Sequence, residues 1–217
     1  FIKKSFAGPL LKKEIDAINL VIKNKKEPVT CIIGGSKIST KINVITSLIE
    51  KVNNLIIVGA MANNFFIYKN YKVGKSLIEE NTKEIIKKIY EKANKNKCKI
   101  LIPEDCMVGS SFDGYGINKD LNAIKDNDII LDIGPKTILN IKDIIDQSNT
   151  VLWNGPAGYF ENENFMIGTM SIAENISKNT VKKSLISILG GGDTLAAINK
   201  SKNKLSFTHL STAGGAF

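Results

Sequence analysis

The sequence predicts an α/β protein: a three-layer, doubly wound, mostly parallel sheet of Rossmann-like type, in a single domain. Three observations predict it. Short apolar, β-branched runs alternate with amphipathic stretches along the chain. The runs are apolar on successive residues, as strands buried on both faces should be. Glycine and polar clusters follow several of the runs, at the carboxyl ends where open α/β sheets bind their ligands. A chain of 217 residues can bury roughly 70% of its unfolded surface, so it needs no disulfide or metal to hold it together.

Taken in order, residues 1–24 read as a separate helical region that joins the remainder, 25–217, to something upstream. VTCII (29–33) is the first strand. STKINVITSLIEKV follows as a helix with Ile42, Ile45, Leu48, Ile49 and Val52 on one face. NLIIVGA is the next strand. NTKEIIKKIYEKA is a helix whose Asn81 and Glu84 have the spacing of a capping box. CKILIP is a strand, and the polar, glycine-bearing segment from Val108 to Lys125 reads as a surface excursion. DIILDIG, NTVLW, SLISILG and SFTHLS are expected to complete the parallel sheet, with KTILNIKDIIDQ and FMIGTMSIAENIS as further helices.

Composition limits the function. The 43% hydrophobic and 24% charged residues match a soluble globular protein and exclude collagen, coiled coil and wholesale disorder. No apolar run is long enough to span a bilayer. Phe1 is not an initiator Met, and FIKKSFAGPL has no apolar signal core, so the chain is expected to begin inside a longer protein and shows no targeting signal. The net charge is +9, and all 30 basic residues are lysine. A basic balance suits acidic partners, but nucleic-acid surfaces usually mix in arginine and aromatics. Nucleic acid and membrane are therefore not expected as partners. Cys31, Cys98 and Cys106 form no CxxC pair and point to buried thiols in a reducing compartment, the cytoplasm. His209 is the sole histidine, which leaves no zinc-ligand cluster.

Four strand ends carry chemistry. After VTCII comes Gly34-Gly35-Ser36-Lys37-Ile38-Ser39-Thr40-Lys41. Glycines let the backbone approach an anion, and the following helix offers unpaired N–H groups and its positive end. On a helical first turn Lys37 and Lys41 share one face and suit a polyphosphate; the alternative is a tight turn followed by two exposed lysines. After SLISILG comes Gly190-Gly191-Gly192-Asp193-Thr194. Asp193 is either an N-cap or a magnesium carboxylate, with Thr194 and the glycine amides facing phosphate. After NTVLW, Asn154-Gly155-Pro156-Ala157-Gly158-Tyr159-Phe160-Glu161 is either an ordinary loop or a wall for a flat ring, with Glu161 accepting from ribose hydroxyls. After SFTHLS comes Thr212-Ala213-Gly214-Gly215-Ala216-Phe217. Gly74-Lys75-Ser76 is no P-loop, because Lys69 stands where its first glycine is required, and GxGxxG is absent.

The ordered set AGPLLKKEI, IIGGSKISTKI, VGAMANNF, VGKSL, LDIGPKT, VLWNGPAGYFE, ILGGGDT and HLSTAGGA resembles phosphoglycerate kinase. The resemblance is to the nucleotide-binding C-terminal half. It implies reversible phosphoryl transfer between 1,3-bisphosphoglycerate and Mg-ADP, giving 3-phosphoglycerate and Mg-ATP in glycolysis. It also implies a missing N-terminal domain that carries the 3-phosphoglycerate site, and a monomeric full-length protein. Under it, Lys37 balances charge on the transferring phosphoryl group, and the amides of Gly214 and Gly215 receive that group. Lys41, Asn154, Gly35, Gly190, Gly191, Gly192 and Thr194 surround the nucleotide phosphates, Asp193 is linked to Mg2+ with ATP or ADP, and Glu161 meets the ribose. Gly59, Leu77, Leu131, Pro156 and Tyr159 form the adenine slot. Three positions depart from the family pattern: Thr40, Ala60 and Ala213. By the same resemblance the lone chain binds nucleotide but turns over poorly. The competing readings are a non-catalytic nucleotide-binding remnant, separated by the coding sequence upstream, and a Rossmann-type dehydrogenase domain, separated by NAD titration.

Overall fold

A computed structural model of the chain describes Gly8, Lys12 and residues 26–211. Of residues 1–24 only Gly8 and Lys12 are described, with Lys12 N donating to Gly8 O at 3.0 Å; the rest of the helix expected there and the turn carrying Gly214 and Gly215 lie outside the described residues.

Six strands form one parallel sheet in the order β3-β2-β1-β7-β8-β9. They are β1 (Val29–Ile33), β2 (Asn54–Ile57), β3 (Lys99–Leu101), β7 (Thr150–Asn154), β8 (Ile186–Gly190) and β9 (His209–Leu210). Alternate residues of a strand face opposite sides, and here both sides are apolar. Cys31, Ile33, Leu55 and Ile57 pack on one side beneath α1 (Ile42–Ile49), α2 (Met61–Tyr68) and α3 (Lys83–Lys95), through Ile45, Phe65 and Ile86 among others. Ile32, Ile56, Val151 and Trp153 pack on the other beneath α4 (Pro135–Gln147), α5 (Ile167–Lys183) and α6 (Gly192–Ile198), through Ile141, Ile172 and Ile198. This is the three-layer fold that the alternating runs predict. The chain winds outward from β1 in both directions, so the gap between β1 and β7 is a topological switch point.

The structure corrects three expectations about the elements of the fold. DIILDIG is not part of the parallel sheet. As β6 (Ile129–Ile133) it pairs antiparallel with β4 (Asp105–Gly109), which pairs antiparallel with β5 (Ile117–Asp120) in a separate three-stranded sheet. Period and hydrophobicity identify a strand but not its partner, which is set by tertiary contact. The segment from Val108 to Lys125 therefore holds the end of β4, all of β5, and a 3₁₀ turn anchored by buried Leu121. The Asn81 capping box does not form. Asn81 has φ +59°, and α3 starts after Thr82, whose hydroxyl points to Asn64 Oδ1 and the Glu79 carbonyl.

Helix α2 escaped the sequence reading because it is buried nearly all round, Asn63 and Asn64 included, and has no polar face to reveal a period. The buried carboxylate of Asp105 on β4 organises the join to the main sheet. It accepts from Thr137 N and Lys136 N in the first turn of α4, at 2.8 and 3.1 Å, so a neighbouring strand caps the helix. Gly74-Lys75-Ser76 has a structural role: Gly74 bridges to Ile129, and Ser76 Oγ accepts from Ile130 N at 2.8 Å.

Candidate functional site

The carboxyl ends of β1, β2, β7 and β8 meet at one rim and are joined there largely through backbone. Gly34 N donates to Asn154 O at 2.8 Å, Met61 N to Gly35 O at 2.8 Å, and Gly59 N to Ala157 O at 3.1 Å. Gly155 N donates to Thr194 Oγ1 at 2.7 Å. The crossing of the β1 and β7 corners is so close that a Cβ on Gly34 would lie 2.2 Å from Pro156 O. Gly191 takes φ +94° and flanks the start of α6, so it holds the N-cap position. Asp193 therefore stands within the first turn rather than capping it.

Lys41 closes the short 3₁₀ turn Ser39–Lys41. Its half-buried ammonium donates to Gly34 O at 2.6 Å and to Asn154 Oδ1 at 3.0 Å. Both acceptors are neutral. Burial lowers the Lys41 pKa, and the negative charge of Asp193 works against that fall. The site thus gathers a desolvated cation, a nearby carboxylate and the start of a helix. Lys37 precedes the turn and is exposed. The regular turn begins only at Ser39, so the two lysines do not share one helical face as expected. Lys37 exerts its field on Glu79, whose carboxylate is held low first by its hydrogen bonding to Ser39. Thr194 is fully buried, and its oxygen accepts from the β7 corner, tying α6 to the neighbouring loop.

From this corner runs a cleft of about 290 Å³. Gly35, Gly59, Leu77, Leu131, Pro156 and Tyr159 line it, with Glu161 and Asp193 among the polar residues of its wall. The residues expected to form a slot for a flat ring are therefore together. Ala60 also lines the cleft. The β6 strand supplies one wall: Tyr159 N donates to Leu131 O at 2.6 Å, and the Tyr159 ring meets Phe112 edge-on at 5.0 Å.

Sequence reasoning missed Phe112 and Asp132. Phe112 sits in the stretch read as an excursion, and nothing in its neighbours marks it. Asp132 had a signal, a carboxylate inside the apolar run IILDI. It lines the cleft yet is only 2% exposed. Its oxygens accept from Gly168 N at 2.7 Å and Ile133 N at 2.9 Å. Burial pushes its pKa up to about 7, against the pull of those two N–H groups. The three thiols are free and buried, and burial pushes Cys31 up to about 12 and Cys98 up to about 11, so neither is a nucleophile at neutral pH. Among the described residues, no three His, Cys, Asp or Glu side chains are grouped to hold a metal, and no helix is long and apolar enough to cross a membrane.

A rim of interlocked glycine corners, one half-buried cation and an apolar slot can hold an anion joined to a flat ring. The family model described as phosphoglycerate kinase matches residues 1–217. The phosphoglycerate kinase of Wolbachia pipientis wMel is 45% identical over 215 residues, covering 98% of this chain and 54% of that protein. That of Bartonella quintana is 41% identical with the same coverage. The solved structure of phosphoglycerate kinase from Coxiella burnetii superposes with a TM-score of 0.90 at 38% identity, covering 97% of this chain and 54% of its own. The chain thus spans about half the length of the curated relatives it matches.

Proposed function

Because the chain belongs to the phosphoglycerate kinase family, we propose that it is the nucleotide-binding half of a kinase that moves a phosphoryl group between 1,3-bisphosphoglycerate and Mg-ADP. The supporting observation is Lys41, a half-buried ammonium resting on two neutral oxygens and lying against Gly35, which lines the cleft. An ammonium without a carboxylate in direct contact keeps its charge for a ligand, and a nucleotide di- or triphosphate supplies the anion and the ring together.

Phosphoryl transfer asks a protein mainly for positioning and charge neutralisation. In this reading the base lies between Gly59, Leu77, Leu131, Pro156 and Tyr159. Glu161 accepts from the ribose hydroxyls. Lys41, Asn154 and the amides around Gly35 and Gly190–Gly192 hold the phosphates, Thr194 braces the corner that carries them, and Lys37 neutralises the group in flight before the amides of Gly214 and Gly215. The exposed carboxylate of Asp193 would hold a magnesium ion, a hard cation that takes oxygen ligands. Such an ion would neutralise charge on the phosphates. The acyl phosphate must be kept from water, which calls for a second domain bearing the 3-phosphoglycerate site and a closing motion. The whole protein then acts in glycolysis, as a monomer in the cytoplasm.

Calorimetry tests this. The 217-residue chain is expected to bind Mg-ADP or Mg-ATP, and no heat at millimolar nucleotide would overturn the reading. Lys41→Ala is expected to weaken binding by about 100-fold and Asp193→Ala by about tenfold. A coupled assay of this chain alone is expected to show little turnover; full rates would remove the need for a partner domain.

A further inference from the structure

Lys200 stands two residues beyond the end of α6, the helix that begins at Gly192–Asp193 on the cleft. Its ammonium reaches the loop that follows β7. It donates to Phe160 O at 2.9 Å and Glu161 O at 3.4 Å, and lies 5.4 Å from the centroid of the Phe160 ring. Phe160 and Glu161 both line the cleft. The neighbouring residues of the same loop are held from the other side: Tyr159 N donates to Leu131 O on β6, and Asn162 Nδ2 donates to Phe112 O at 2.8 Å. The loop is therefore slung between the small sheet and the α6 side, where Lys200, just past α6, holds its far end while the Gly155–Thr194 bond holds its start.

One charge gripping two consecutive carbonyls fixes the orientation of the two peptide planes that flank Glu161 Cα, because each oxygen must face the ammonium. The Glu161 side chain springs from that Cα. We propose that Lys200 is a positioning residue for the nucleotide sugar: it holds the Phe160–Glu161 peptide in register with the helix bearing Asp193, and so sets where the Glu161 carboxylate meets the ribose hydroxyls. The inference rests on the ribose role proposed above for Glu161. Its consequence is specific. Loss of the ammonium loosens Glu161 and leaves Lys41 and the glycine corners intact, so the penalty falls on ligands with ribose hydroxyls and spares those without them.

The test is calorimetry of the 217-residue chain with Mg-ADP and with Mg-2′,3′-dideoxy-ADP. Lys200→Met keeps the stem and removes the charge. It is expected to weaken Mg-ADP by about tenfold and the dideoxy nucleotide by less than about twofold, while Lys200→Arg stays within about threefold for Mg-ADP. In a Glu161→Ala background the effect of Lys200→Met should vanish. Equal losses for the two nucleotides, no loss for either, or an undiminished effect without Glu161 would each overturn the proposal. If Lys200→Met does not fold, Lys200→Gln is read by the same criteria. A wild-type chain that binds both nucleotides equally removes the ribose role of Glu161 and the inference with it. A wild-type chain that binds neither removes the nucleotide reading itself.

Discussion

The two sheets build opposite ends of the cleft by different means. At the parallel rim the working parts are backbone: glycine corners stitched to each other, a helix start, and one lysine resting on a carbonyl and an amide oxygen. At the small antiparallel sheet the working parts are side chains, with Ile129, Ile130 and Leu131 of β6 and the Phe112 ring forming the wall. A backbone-built site depends on what a residue lacks, since only a missing Cβ permits the crossing of Gly34 and Pro156. A side-chain-built site depends on bulk, which several apolar residues can supply. The first is intolerant of substitution and the second is permissive.

The largest expected effect tests that intolerance. Gly34→Ala places a methyl 2.2 Å from Pro156 O and 2.6 Å from Gly155 O, both backbone atoms that cannot rotate away. The β1 and β7 corners must separate, taking the Asn154 acceptor from Lys41. Urea denaturation is expected to show a loss of about 4 kcal/mol or more. A variant within about 1 kcal/mol of wild type would mean that the rim yields as easily as the opposite wall.

Asp132 joins the two regions and sharpens the contrast through pH. It sits on β6, yet its carboxyl receives an N–H from Gly168 in the first turn of α5. Its pKa is raised by burial to about 7, above the ordinary 3.8. The native state therefore binds this proton more tightly than the unfolded chain does. Its contribution to stability is complete below about pH 4 and is lost as pH rises through about 7. Asp132→Asn removes that slope. The amide has one acceptor oxygen for two N–H donors, so at pH 5 it is expected to be less stable than wild type by about 1–3 kcal/mol. Thermal melts at pH 5 and pH 8 should show this deficit shrinking. A deficit that is unchanged or larger at pH 8 would place the carboxyl's titration elsewhere.

The same division explains what the sequence made legible. Glycine after a buried strand is a readable mark, because few other causes put two or three glycines there, and so Gly34–Gly35, Gly155 and Gly190–Gly192 led directly to the rim. Lys41 was readable by its distance from that turn. At the base end the turn from Asn154 to Glu161, with Tyr159, was readable as a wall for a flat ring, whereas Leu77 and Leu131 came only through family resemblance. Phe112 remained hidden because its place depends on β4 pairing with both β5 and β6, and the pairing with β6 has no local signature. The same non-local pairing misplaced DIILDIG in the parallel sheet, and the two buried asparagines masked α2.

The smallest expected effect separates ligand contact from folding at the permissive end. Leu77 and Leu131 line the same cleft, but Leu131 is 5% exposed and Leu77 is 57% exposed. Truncating Leu131 would open a cavity in the core and confound binding with stability. Leu77 is held in place by its backbone, whose carbonyl accepts from Asn63 Nδ2 at 2.9 Å, so its side chain can be shortened without moving the strap that carries it. Leu77→Ala is expected to change stability by less than about 0.5 kcal/mol. If the nucleotide base covers this side chain, losing about 1 kcal/mol of apolar burial weakens Mg-ADP by roughly fivefold. Inorganic triphosphate, which has no ring, should bind both forms alike. A comparable loss for triphosphate would mean that Leu77 acts on the phosphate corner, and the two ends of the cleft would no longer be separable.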